Sequence, residues 1–129
     1  MSDNKSKITD VYEKAAAGAV EESFRLLLDL FDPDVDIHET PITPWGGEFH
    51  GRDEMIEMFS KLSTYLGPEP IKIRGIFGEE DSVVVRFLGN FKADPDAEPV
   101  SIDVVEWYTF RDGLIVDLRV FYWEPIRAQ

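Results

Sequence analysis

Apolar residues recur in this chain with two different periods, and the change from one to the other divides it. Ile8, Val11, Tyr12, Ala15 and Ala19 return every three or four positions, and after Gly18 the set Phe24, Leu27, Leu28 and Phe31 repeats that spacing, which predicts two amphipathic helices. Asp32-Pro33 is predicted to stop the second, because proline disfavours helical geometry in the residue before it. From Val35 to Thr40 the period falls to two and predicts a strand. Two prolines and three glycines between Pro41 and Gly51 rule out a long regular element and predict a shaped loop carrying Trp45. A third helix is predicted from near Asp53 to Gly67-Pro68, with Met55, Ile56, Phe59, Leu62 and Leu66 as its apolar stripe.

Alternation then returns in Ile71 to Phe77, Ser82 to Phe91, Val100 to Phe110 and Leu114 to Trp123. Gly78-Glu79-Glu80-Asp81, the acidic stretch from Lys92 to Pro99, and Arg111-Asp112-Gly113 supply the turns. The predicted order ααβαββββ is that of an α+β domain in which a curved, mainly antiparallel sheet wraps three helices. With 129 residues the expectation is one domain over 1–129.

Composition removes several classes of function. A formal charge of −13, from 26 acidic and 13 basic residues, opposes binding to nucleic acid phosphates or anionic membranes. The absence of cysteine excludes disulfides, thiolate metal sites and a cysteine nucleophile. No apolar run reaches spanning length and the first seven residues are polar, so the expected setting is the cytoplasm.

Strand parity singles out two acidic residues. In Val35 to Thr40 it sends Glu39 to the same side as Val35 and Ile37, and in Val100 to Phe110 it sends Glu106 to the side of Val100, Ile102, Val104, Tyr108 and Phe110. A buried carboxylate costs several kcal/mol unless it is paired or protonated. Two of them predict a pocket with acid–base chemistry, or else ion pairs with Arg86 or Arg119 that only order the sheet. His38 has the opposite parity, and His50 lies at the loop end. With two histidines and no HExxH-type pattern, no metal and no cofactor are expected. Asp94-Pro95-Asp96 is read as a solvated turn.

Three stretches carry a resemblance: Leu28-Asp29-Leu30-Phe31-Asp32-Pro33-Asp34-Val35-Asp36-Ile37-His38-Glu39, the Pro44-Trp45-Gly46-Gly47 loop with Phe49-His50-Gly51-Arg52-Asp53-Glu54, and the run from Trp107 to Arg119. They resemble the NTF2-like, or SnoaL-like, domains, whose cone-shaped α+β fold is shared with ketosteroid isomerases. The resemblance covers nearly the whole chain and implies that Glu39 occupies the position of a general-base aspartate. Glu106 falls where those isomerases keep a neutral acid facing the oxyanion. Tyr12 matches the tyrosine of their first helix to within one residue. Both acids are Glu where the isomerases have Asp, which moves each carboxyl by about 1.5 Å.

The resulting expectation is a small-molecule enzyme using Glu39, Glu106 and Tyr12 for isomerisation, dehydration or cyclisation of an apolar carbonyl compound, with Trp45, Tyr108 and Phe24 lining the cavity. A non-catalytic ligand-binding or dimerisation module is the alternative. Val105, Trp107, Ile115, Phe121 and Trp123 are predicted to form an outer apolar face with Asp103, Asp117 and Arg119 among them, fit for a homodimer.

Overall fold

A computed structural model describes residues 3–124. Helix α1, Asn4–Ala16, begins at Asp3, whose carboxylate accepts hydrogen bonds from the Lys5 and Ser6 amides. Gly18, at φ +90°, lets the chain reverse into α2, Val20–Leu30. That second helix has no side-chain N-cap and buries only Ser23, whose hydroxyl donates to the Val11 carbonyl at 2.8 Å.

Strand β1 runs Phe31–Glu39, so Phe31 is a fully buried strand residue rather than the last of a helical stripe. Pro33 ends the helical geometry as expected but sits inside β1, in an exposed irregular stretch between Phe31 and Asp36 where its missing N–H costs nothing. The loop after β1 contains a short strand, β2, Gly47–His50, that pairs antiparallel with β1 and places Phe49 opposite Ile37. Its two polar and two apolar residues after a Gly-rich turn hid it from the periodicity. Helix α3, Gly51–Ser63, buries Met55 and Met58 and leaves Ile56 outward, because the stripe continues from Met55 through Met58 and Phe59 to Leu62.

The remaining strands are β3, Lys72–Glu79, β4, Ser82–Phe91, β5, Val100–Arg111, and β6, Leu114–Tyr122. They form one sheet in the order β2-β1-β6-β5-β4-β3, antiparallel except for the β1–β6 pair. The sheet is curved and unclosed, and α1, α2 and α3 lie against its concave face. This is the α+β architecture expected from the sequence. Among the described residues no helix is long and apolar enough to cross a membrane.

The ladder between β5 and β6 is irregular near Val116, where Phe110 pairs with Ile115 but Thr109 pairs with Asp117. The extra residue reverses parity along β6. Ile115 therefore lies in the core with Leu118 and Val120 instead of on the outer face. Val100, at the sheet end, is exposed rather than inward. Ile115→Ala should consequently cost about 2–5 kcal/mol in urea unfolding. A change below about 0.5 kcal/mol, typical of a surface site, would contradict the inward placement.

Candidate functional site

Parity places Val35, Ile37 and Glu39 of β1 inside, as it does Val104, Glu106 and Tyr108 of β5. His38 pairs with Arg119 across the parallel β1–β6 ladder, so Glu39 lies beside Val120, and Glu106 pairs with Val120 from the other side. The two glutamates thus flank one valine across three strands. With strands about 4.8 Å apart, their Cα atoms are about 10 Å apart. Both open on a cavity of about 260 Å³ whose other walls are α1, α2, α3 and the segment around Gly67-Pro68.

Each carboxyl is held by tyrosine. Tyr12 reaches in from the buried face of α1, one turn after Ile8, and donates to Glu106 Oε1. Tyr108 Oη donates to the same oxygen at 3.2 Å and lies 2.5 Å from the Tyr12 hydroxyl. At the other end Tyr122 Oη donates to Glu39 Oε1 at 3.0 Å, while the Trp45 indole N–H donates to Tyr122 Oη at 2.9 Å. The order Trp45, Tyr122, Glu39 is a continuous relay.

Among the described residues no cation reaches either acid. Arg86 pairs with Asp103 and Arg119 with Asp117 on the convex side, at 3.3 and 3.6 Å, and neither lines the cavity. The ion pairs that would have made the glutamates purely structural are therefore not formed. Burial first, and then the neighbouring charge of Glu106, push Glu39 from 4.5 up to about 8, against weaker opposition from Tyr122, Trp45 and the Thr40 amide. Glu106 is raised as well, by burial, with the hydrogen bonds of Tyr12 and Tyr108 opposing the shift. Burial and the Glu106 charge hold Tyr12 and Tyr108 well above the usual phenol range, so both hydroxyls stay protonated. Burial thus favours the protonated form of both glutamates, for Glu39 up to about pH 8.

Phe24 lines the cavity as expected, and its ring stacks on Phe59 with centroids 3.7 Å apart between α2 and α3. Tyr108 lines it too. Trp45 does not: it is fully buried, stacked on Phe91 and set edge-on to Tyr122. The turn that carries it is so tight that a Cβ on Gly46 would stand 2.0 Å from the Thr40 carbonyl oxygen, which draws the indole inward instead of over the opening. Tyr122 is the residue that sequence reasoning missed. Its parity with Leu118 and Val120 carries the signal.

The histidines lie apart from this group. His38 is bound on the convex side to Glu48 at 2.5 Å and Asp117 at 2.9 Å. Partial burial opposes its charge, but those two hydrogen bonds raise its pKa. His50 bonds to Asp36 at 2.7 Å. Asp94 accepts from the Asp96 amide in a local turn. Among the described residues no group of three or more His, Asp or Glu side chains is arranged to hold a metal ion.

The model of the SnoaL-like domain family matches residues 9–118. No curated protein matches the chain in sequence. Among solved structures, an NTF2-like protein from Burkholderia thailandensis E264 superposes with a TM-score of 0.75 at 18% identity, over 95% of this chain and 92% of that one. TerC, co-crystallised with polyporic acid, superposes with a TM-score of 0.70 at 20% identity, over 90% and 91% of the two chains.

A raised folded-state pKa means that folding favours the protonated carboxyl. The contribution of Glu39 to stability is thus full below its unfolded value near 4.5 and is lost as pH rises through about 8. Glu39→Gln should remove that loss. In urea unfolding the variant should gain on the wild type between about pH 5 and pH 8.5, and a constant difference across that range would show that Glu39 titrates normally.

Proposed function

The chain belongs to the SnoaL-like domain family, and on that footing we propose that it is a small-molecule enzyme that moves protons at a carbon beside a carbonyl, with isomerisation, dehydration or cyclisation as the outcome. One observation carries the reading: two inward glutamates, without a cationic partner among the described residues and held by tyrosine hydroxyls, open on the same cavity. A carboxyl pair that shares one proton contains a base and an acid at once.

In the proposed reaction, ionised Glu39 takes the proton from the carbon, and the electron pair of the broken C–H bond moves onto the carbonyl oxygen. Protonated Glu106 and Tyr12 donate hydrogen bonds to that oxygen as its charge develops. Return of the proton from Glu39 to another carbon completes an isomerisation. Loss of a β-hydroxyl, protonated by Glu39 and leaving as water, gives dehydration, and attack of the carbanion on a second carbonyl, whose oxygen takes the proton from Glu39, gives cyclisation. Tyr108 keeps Glu106 and Tyr12 in register, and Tyr122 with Trp45 fixes the aim of Glu39.

The same proposal places the protein in the cytoplasm as a homodimer. Trp107, Phe121 and Trp123 are 45%, 50% and 81% exposed on the convex side around the β5–β6 hairpin, an apolar patch suited to burial against a second copy.

Hydrogen–deuterium exchange at the carbon next to the carbonyl of a compact ketone, followed by NMR, tests the chemistry. The wild type should accelerate exchange, with the rate rising as pH approaches about 8 because the base must be ionised. Glu39→Gln should lower the rate by ~100-fold or more and Tyr12→Phe by ~10-fold or more. Equal rates for wild type and Glu39→Gln across a panel of ketones would refute the proposal. For the assembly, sedimentation should give a dimer for the wild type and a monomer for Trp123→Glu; a wild-type monomer at high micromolar concentration would dismiss it.

A further inference from the structure

Hydrogen-bond accounting in the cavity shows an excess of acceptors. Each tyrosine hydroxyl has one proton to give. Those of Tyr12 and Tyr108 are directed at Glu106 and their shared contact, and that of Tyr122 is directed at Glu39. The Trp45 N–H is spent on Tyr122. What remains of this group to face the cavity is carboxyl oxygen. A neutral oxygen-bearing ligand finds a donor there only in a protonated carboxyl, whereas a ligand with positive charge pairs with an ionised one and needs none of the internal bonds broken.

Charge points the same way. Among the described residues the cavity lining contains no Lys, Arg or His, so an ionised carboxylate there has no counter-charge from them. Tyr12, Phe24, Phe59, Phe87, Tyr108 and Tyr122 supply ring surfaces around it, and aromatic faces attract cations. The net charge of −13 raises the local concentration of cations and lowers that of anions. At about 260 Å³ the space lies just under the common range of about 300–1,000 Å³ for ligand pockets, which limits the body of the ligand to one or two rings.

We infer that the cavity takes a compact organic cation, an apolar carbonyl compound with one ammonium or quaternary nitrogen seated beside Glu106 and Glu39. The inference rests on the reading of this cavity as the substrate site and names the substrate class for it. The positive nitrogen supplies the counter-charge that the fold withholds, and phenyl or alkyl groups occupy the space between Phe24, Phe59 and Phe87.

Calorimetry on the intact wild-type protein at about 0.15 M salt tests this with three probes of similar size: benzyltrimethylammonium, phenylacetone and phenylacetate. The cation should bind once per chain, roughly tenfold or more tighter than the neutral ketone, and the anion should bind weakest. Because the quaternary nitrogen cannot titrate, its affinity should rise between about pH 6.5 and pH 9 as Glu39 loses its proton, while that of the ketone should not. Glu106→Gln should weaken the cation by roughly tenfold or more, and if that variant does not fold, the wild-type comparison decides alone. Phenylacetone binding as tightly as the cation would overturn the inference and leave the acid–base reading in place. Binding of neither would overturn both.

Discussion

Two carboxyl groups sit inside this fold without a cation among the described residues to match them, and the interior around them is arranged to accommodate that. In a medium of low dielectric the first negative charge is costly and the second, about 10 Å away by backbone spacing, costs more because the first is there. The described residues answer with hydroxyl dipoles, and burial favours the protonated acids. Tyr12 and Tyr108 lie on Glu106, and Tyr122, itself fixed by Trp45, lies on Glu39. Four elements contribute to this small polar island: α1 brings one tyrosine, β5 a glutamate and a tyrosine, β1 the other glutamate, and β6 Tyr122 and the valine that separates the acids.

The asymmetry between the two acids follows from their donors. Glu106 receives two tyrosine hydroxyls on one oxygen, which favours its anion, whereas Glu39 has one tyrosine and the charge of Glu106 acting against it. Identical side chains on one sheet thereby meet different donors and charges.

Much of this was legible in the sequence because strand parity is a strict rule. Glu39 and Glu106 alternate with Val35, Ile37, Val104 and Tyr108, and those positions are inward in the structure. Parity fails only where the chain inserts a residue, as at Val116, and an insertion leaves no mark in a pattern of apolar residues; Ile115 was misplaced for that reason. The path of the loop through Trp45 was illegible for a different cause, since it depends on Gly46 passing within contact of the Thr40 backbone, a tertiary coincidence with no period. Tyr122 was within reach, one residue from the exposed Phe121 and Trp123 on either side, but an aromatic at the end of a strand looks the same whether it fills space or holds a carboxylate. In α3 the helical period admitted Ile56 and Met58 alike, and packing against β1 buries Met55 and Met58 and leaves Ile56 exposed.

The second helix is held differently from the rest of the cavity wall. α2 lacks a side-chain cap and fully buries a single serine, while Phe24, Leu26, Leu27, Leu28 and Leu30 pack half-buried against the core and Phe24 stacks on Phe59 of α3. Elements with few fully buried contacts open first and at the lowest free energy. Local opening therefore costs least at the wall that α2 forms, not at the sheet that holds the two glutamates.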